Sequence, residues 1–492
     1  MNAAKGSEPR RSLRFRFRNA DVALEDFSPR ATLLDWLRED QGARGVKEGC
    51  GEGDCGACTV VLSRPTPGGG LSHLPINACV LLLGQVDGAE VITVEDLAEA
   101  EELHPVQQAM VDLHGSQCGF CTPGIVMSLF ALYHSGAPAS RGAICDQLAG
   151  NLCRCTGYRP IVQAVRDSLP LQSDPLDAEL PALEQALGAV VRKTAASFVD
   201  AECAFYAPRS LADALELRQR LPAAKILAGG TDLGLVPSQK REKIPQIIYL
   251  GAVDELRRCD EGPSNIAIGA AVPYEEAIAI LSHLYPGLAA YLSRFGSRQI
   301  RNLGTVGGNI GTASPIGDFL PILLTMSARI RLRSLAGRTR ELEADSYFID
   351  YRKTALHPDE LIEAVVIPKL APGELFWADK ISKRRDQDIS TVCSAFLLAL
   401  EGGKVSRARL AFGGMAPIPM RARGAEAALL GRPFDEAALA EAGTALARDF
   451  QPISDWRGSS EYRLAVAQNL LRRLYVRVVA PHVIAELDAL PA

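Results

Sequence analysis

Gly49-Cys50-Gly51-Glu52-Gly53-Asp54-Cys55-Gly56-Ala57-Cys58-Thr59 opens a group of four cysteines spaced Cys50-x4-Cys55-x2-Cys58-x20-Cys79. Two irons bridged by sulfide need four thiolates converging on one compact object, and three of them can come from a single loop. Such a loop must aim backbone N–H groups at sulfur through conformations that β-carbons obstruct, and Gly49, Gly51, Gly53 and Gly56 remove the obstruction. Each amide aimed at a sulfur also stabilises the more negative, reduced cluster. Zinc sites commonly pair C-x2-C knuckles from two hairpins. A C-x4-C-x2-C run with a distant fourth cysteine is instead plant-type ferredoxin spacing, so Cys50, Cys55, Cys58 and Cys79 read as ligands of a [2Fe-2S] cluster.

The sequence around this loop alternates strand-like runs with turns. Leu13, Phe15 and Phe17 alternate with Arg14, Arg16 and Arg18, a period of two that reads as a half-buried strand. Val22–Leu24, Thr59–Leu62 and Val91–Val94 follow, with helical spacing between them over Thr32–Arg38. A small sheet holding one helix is expected over 12–97. From 98 to 168 the period becomes helical, with Pro105 opening one helix and Thr122-Pro123 giving the cap and first-turn proline of the next. Residues 170–185 are proline-rich and acidic, which suits a linker, placed at 169–198. Helix-like Ser210–Arg220 and strand-like Ile226–Ala228 and Ile247–Leu250 start a mixed region over 199–374. A last segment, 375–492, brings strands at Val392–Leu400 and Ala408–Phe412 and then amphipathic helices.

Twelve cysteines are present, eight of them in the first third at short paired spacings, a clustering that favours metal or redox chemistry over disulfides. Cys145, Cys203, Cys259 and Cys393 have no ligand spacing and read as small buried residues or inert thiols. A net charge of -5 offers no basic footprint, which excludes nucleic acid as a partner. Arg10-Arg11 precedes no apolar core and no run of 18 apolar residues occurs, so no membrane span is expected and the chain reads as cytoplasmic.

The other clustered cysteines lie in Gln117-Cys118-Gly119-Phe120-Cys121-Thr122-Pro123-Gly124 and Asn151-Leu152-Cys153-Arg154-Cys155-Thr156-Gly157-Tyr158. Taken alone, C-x2-C plus C-x-C suits zinc, a redox pair or a cluster bracketed between helix ends. In this order after the first group, the two blocks resemble the iron-sulfur half of the molybdenum hydroxylases, the family of xanthine dehydrogenase, aldehyde oxidase and carbon monoxide dehydrogenase. That resemblance implies that Cys118, Cys121, Cys153 and Cys155 hold a second [2Fe-2S] cluster.

Ile226-Leu227-Ala228-Gly229-Gly230-Thr231-Asp232-Leu233 is a strand ending in a glycine turn, and Gly304-Thr305-Val306-Gly307-Gly308-Asn309-Ile310-Gly311-Thr312-Ala313-Ser314-Pro315 is a second small-residue run. Small residues let the main chain approach a pyrophosphate, although by composition alone such pairs in a chain with 43 glycines mark turns. No G-x-G-x-x-G in strand-to-helix context points to a Rossmann site. Both runs resemble the FAD-binding segments of the same family. The resemblance implies FAD contacts from Ile226 to Leu233 and from Phe295, Thr305, Gly308, Asn309, Thr312, Ser314, Asp318, Ile362 and Lys380, with Thr305 and Ile362 standing where relatives often have serine and leucine. Lys380 itself lies in a charge run whose ordinary meaning is a solvated face.

The likeness therefore implies an α+β multidomain chain: a ferredoxin-like β-grasp [2Fe-2S] domain, a helical-bundle [2Fe-2S] domain, a vanillyl-alcohol-oxidase/MurB-like FAD domain and an α+β C-terminal domain. It implies electron transfer from a molybdopterin cofactor on a larger partner subunit through two [2Fe-2S] clusters to FAD and then NAD, in an α2β2 or higher heterooligomer. The fused order resembles the xanthine dehydrogenase branch, which oxidises hypoxanthine and xanthine to urate. An aldehyde or N-heterocycle hydroxylase, a stand-alone iron-sulfur flavoprotein reductase and a zinc scaffold are the competing expectations. No acid, base or nucleophile is expected in this chain.

Overall fold

The computed structural model describes residues 9–66, 68–98, 102–138, 140–168, 175–190, 194–335 and 337–484. The chain forms two compact units, one running to Asp254 and including Gly296–Gly304, the other built from Glu255–Phe295 and Thr305 onwards.

In the first unit, a five-stranded sheet has the order Ala20–Leu24, Leu13–Phe17, Glu90–Ile92, Thr59–Pro65, Leu71–Asn77. Leu13–Phe17 runs parallel to Glu90–Ile92, and the other pairs are antiparallel. The alternation in the first strand works as expected: Leu13, Phe15 and Phe17 are buried while Arg14 is exposed. Trp36, on the helical stretch after Leu33–Asp35, meets Phe15 and Phe17 edge-on with centroids 5.0 and 5.3 Å apart. The strand Leu71–Asn77 was not expected. It contains Pro75, which lacks the N–H that a central strand needs and is accommodated because this strand lies at the sheet edge.

Helices Pro105–Asp112, Thr122–Tyr133, Arg141–Leu148 and Arg159–Ser168 follow, packed through Val106, Met110, Ile125, Leu129, Ile144 and Ile161. The second helix starts one residue differently from the expectation: Cys121, not Thr122, is the cap, and it makes no side-chain capping bond. Within the stretch expected as a linker, Pro175–Val190 is helical. Its acidic, proline-rich composition concealed an apolar stripe at Leu176, Leu180, Leu183 and Leu187, spaced as one helix face, of which Leu183 and Leu187 are buried. Residues 169–174 and 191–193 of that stretch lie outside the described residues. The unit ends in a four-stranded sheet ordered Ala196–Val199, Ala204–Ala207, Gln246–Tyr249, Lys225–Leu227, with helix Leu211–Arg220 capped by Ser210, the first residue of the run expected as helical.

The second unit has an antiparallel sheet ordered Cys259–Glu261, Asn265–Gly269, Glu360–Pro368, Arg329–Ser334, Thr339–Glu343. Helices Tyr274–Leu284, Val306–Thr312 and Leu320–Thr325 belong with it. A four-stranded sheet, Glu374–Ile381 through Met420–Arg421, is covered by helices Arg423–Leu429, Glu436–Asp449 and Ser460–Val479. Among the described residues, no helix is long and apolar enough to cross a membrane. Of the four scattered cysteines, Cys203 and Cys393 are buried as expected, whereas Cys145 is exposed and Cys259 half-buried.

Candidate functional site

The loop from Cys50 to Cys58 folds back on its own sulfur. The amides of Glu52, Asp54 and Cys55 each lie 3.4 Å from Cys50 Sγ. Gly51, Gly53 and Gly56 take φ values of +68°, +78° and +70°, which residues with a β-carbon rarely adopt. A β-carbon on Gly49 would stand 2.8 Å from Cys55 Sγ. Asn77 closes the loop from the neighbouring strand, donating from Nδ2 to the Gly53 carbonyl at 2.6 Å.

Four thiols meet here: Cys50 with Cys55 and Cys79, and Cys79 with Cys58. They compete for negative charge. The hydrogen bond from the Cys55 thiol, followed by that from Cys79, pulls the Cys50 thiol far below its ordinary range. The same bond pushes Cys55 up, and bonds to Cys50 and Cys58 push Cys79 up. All four would become thiolates together only against the positive charge of a bound metal centre, and filling the site would release protons. Each iron of a diiron cluster takes two thiolates, so paired thiols fit a [2Fe-2S] centre.

The second group pairs across its two loops, Cys121 with Cys153 and Cys118 with Cys155. Burial, then the bond to Cys153, pushes the Cys121 thiol up to about 12. The Cys153 amide donates to Tyr158 Oη at 2.7 Å, and Cys153 Sγ lies 3.2 Å from Thr156 Oγ1. Cys118 and Cys155 are exposed, whereas Cys58 and Cys79 are buried. The two groups are tied by backbone: the Leu152 amide donates to the Cys55 carbonyl at 3.0 Å. A β-carbon on Gly56 would stand 2.0 Å from the Gly150 carbonyl oxygen.

The residues expected around FAD fall on both units. In the first, strand Lys225–Leu227 delivers the turn Ala228-Gly229-Gly230-Thr231-Asp232-Leu233. Gly230 has φ +92°, and the Gly229 carbonyl accepts from Gln85 Nε2 at 3.2 Å. A β-carbon on Gly229 would strike the Leu303 carbonyl oxygen at 1.9 Å. That glycine is required by the neighbouring main chain, whatever else the turn binds.

In the second unit, Thr305 caps helix Val306–Thr312 by accepting the Gly308 amide at 3.0 Å. A Thr305→Ala chain should therefore lose about 1 kcal/mol of stability, the usual worth of such a cap. Thermal unfolding checks this, and an unchanged midpoint would deny the cap its role. Asn309 Oδ1 is buried without a hydrogen-bond partner among the described residues. A buried acceptor left unmatched fits a polar ligand better than a closed core. Ser314 Oγ accepts the Ile316 amide at 3.4 Å, and Gly311 adjoins Ile362, whose side chain is buried. Phe295 packs edge-on against Tyr274 and Tyr291.

Lys380 is buried, and its ammonium donates to Asp318 Oδ2 at 2.7 Å. The charge run around it is thus not wholly a solvated face. Ser390 Oγ donates to Asp318 Oδ1 at 2.5 Å, so both carboxylate oxygens of Asp318 are already engaged within the protein. Sequence reasoning did not single out Asn77 or Gln85, each a polar residue among apolar ones, because their partners are backbone carbonyls distant in sequence.

Four families match consecutive parts of the chain: a 2Fe-2S iron-sulfur cluster binding domain over 20–82, a [2Fe-2S] binding domain over 93–166, the FAD binding domain in molybdopterin dehydrogenase over 199–370, and the CO dehydrogenase flavoprotein C-terminal domain over 377–478. Xanthine dehydrogenase of Emericella nidulans is 34% identical, with 95% of this chain and 39% of that protein aligned. Xanthine dehydrogenase/oxidase of Mus musculus is 32% identical over 93% of this chain and 38% of that protein. The chain thus spans about two-fifths of the length of these curated relatives. Among solved structures, carbon monoxide dehydrogenase from Hydrogenophaga pseudoflava superposes with a TM-score of 0.53 and 30% identity, covering 56% of this chain and 96% of that one. Quinoline 2-oxidoreductase from Pseudomonas putida gives 0.51 and 26%, covering 55% and 94%.

Proposed function

We propose, from the premise that this chain belongs to the molybdenum hydroxylases as an iron-sulfur and FAD-binding electron-transfer subunit, that it serves a xanthine dehydrogenase and delivers electrons to NAD. The observation that carries the electron-transfer role is two sets of four cysteines, tied through one backbone hydrogen bond, on a chain that continues into an FAD-binding domain. The proposed domains are 12–97 and 98–168 for the clusters, 199–374 for FAD and 375–492 for the C-terminal part. When bound, the clusters supply one-electron steps and the flavin both one- and two-electron steps.

The protein's share is placement. Cys118 and Cys155 stand at the surface, so the second set is the one that an outside donor reaches, and the buried Cys58 and Cys79 hold the inner relay. The amides of Glu52, Asp54 and Cys55 stabilise extra negative charge on the inner set. Ile226–Leu233, Phe295, Thr305, Gly308, Asn309, Thr312, Ser314, Asp318, Ile362 and Lys380 are proposed to hold FAD, with the unmatched Asn309 Oδ1 the best-supported contact. The donor is proposed to be a molybdopterin cofactor on a larger partner subunit in an α2β2 or higher heterooligomer. Xanthine is favoured by relatives matched along more than nine-tenths of this chain. The structural likeness to carbon monoxide dehydrogenase and quinoline 2-oxidoreductase supports a second reading, the same role with another substrate.

Native purification with metal and flavin analysis tests the proposal. Iron and flavin should appear at about four to one, with molybdenum in a larger copurifying chain and NAD reduced on addition of xanthine. Colourless protein, or an iron-to-flavin ratio near zero, would overturn the cofactor assignment. Reduction of NAD by an aldehyde or N-heterocycle but not xanthine would select the second reading.

A further inference from the structure

The two cysteine loops and the stretch Gly296–Gly304 meet at a buried polar knot within the first unit. Gln299, wholly buried, donates from Nε2 to Asn151 Oδ1 at 2.9 Å and to Ser128 Oγ at 3.0 Å. Asn151 in turn donates from Nδ2 to the Gly56 carbonyl at 3.1 Å and to Thr59 Oγ1 at 3.2 Å. Ser128 Oγ donates to Asn151 Oδ1 at 2.6 Å.

Each partner is attached to a cluster cysteine. Gly56 follows Cys55, Thr59 follows Cys58, Asn151 precedes Cys153 by two positions, and Ser128 stands on the helix that Cys121 caps. The stretch carrying Gln299 is itself anchored. Arg301 and Arg298 bind Asp146 at 2.8 and 2.9 Å, and Asn302 Nδ2 donates to the Pro75 carbonyl at 2.8 Å.

A residue that merely filled this space would be apolar, because burying an amide costs stability unless it is fully hydrogen-bonded. Gln299 Oε1 has no partner among the described residues, so part of that cost is not offset. What the amide provides is direction: a buried polar network fixes one arrangement of the groups that it joins. We propose that Gln299 is a positioning residue for electron transfer, holding the first cysteine loop against the second and so fixing the separation of the two clusters. The inference rests on both sets being [2Fe-2S] centres.

The experiment compares the full chain, with its clusters, against Gln299→Leu. Two reduced clusters held close together perturb each other's paramagnetic resonance, and the low-temperature splitting reports their separation. In Gln299→Leu the splitting should weaken and the Leu152 amide, bonded to Cys55, should exchange hydrogen about ten-fold faster, as the loss of the buried hydrogen bonds of Gln299 allows. A variant that keeps its iron, its splitting and its exchange rate would overturn the inference. If Gln299→Leu fails to load iron, Ser128→Ala carries the test by removing one acceptor of Gln299 together with the bond from Ser128 to Asn151, while Gln299 keeps its bond to Asn151. Weakened splitting there supports the inference, and parental splitting overturns it. Absence of two cluster signals from the unaltered chain would instead defeat the underlying cofactor assignment.

Discussion

A Cys79→Ala chain should hold about two irons where the parent holds about four, and should show one reduced-cluster resonance where the parent shows two. The expectation follows from where Cys79 sits. The residue is 1% exposed, it reaches both Cys50 and Cys58, and it comes from a segment separate from the loop carrying the other three cysteines. Without it, the loop offers three thiolates where a [2Fe-2S] cluster takes four. Water cannot easily replace the missing ligand at a buried position, so the first cluster should be lost outright. The second set, with its own pairing of Cys121 to Cys153 and Cys118 to Cys155, should keep its iron. Iron analysis and low-temperature resonance decide the matter, and retention of four irons would show that Cys79 is no ligand.

The second large effect is expected from Gly56→Ala. Gly56 has φ +70°, and an added β-carbon would stand 2.0 Å from the Gly150 carbonyl oxygen and 2.7 Å from Asn151 Nδ2. Left-handed backbone costs a residue with a β-carbon about 1–2 kcal/mol, and overpacking adds about 1–3 kcal/mol. A loss of about 2–5 kcal/mol should therefore lower the thermal midpoint and drain iron from both sets, because the clash separates the two loops. Gly136→Ala is the control. It has φ +66° with nothing within 4 Å of its β-carbon position, so only the backbone strain should register. Equal midpoints for the two variants would mean that the loops are free to part.

The two [2Fe-2S] binding domains were legible because a metal cluster imposes its own spacing on sequence, and Cys50-x4-Cys55-x2-Cys58 has the plant-type ferredoxin spacing. The second set needed its flanking residues, since its pairing of Cys118 with Cys155 joins loops far apart in sequence. Strands with strict alternation, such as Leu13–Phe17, were plain, whereas Leu71–Asn77 was hidden by Pro75 and the helix Pro175–Val190 by its acidic residues. Gln299 could not have been chosen from sequence. Its value lies in partners some 150 and 170 positions away, and nothing local to Arg298-Gln299-Ile300 records them. The glycines illustrate the same limit: Gly229 reads as a ligand-cradling residue, yet the Leu303 carbonyl alone forbids a side chain there.

The placement of Gly296–Gly304 within the first unit has a consequence for synthesis on the ribosome. Everything up to Asp254 emerges first, but the knot around Asn151 is incomplete until Glu255–Phe295, which belongs to the other unit, has also been made. At ordinary elongation rates that interval is roughly two to eight seconds. During it, the nascent iron-binding region has cysteines in place and Asn151 and Ser128 without their glutamine, so a chain severed after Asp254 would be born without its own keystone.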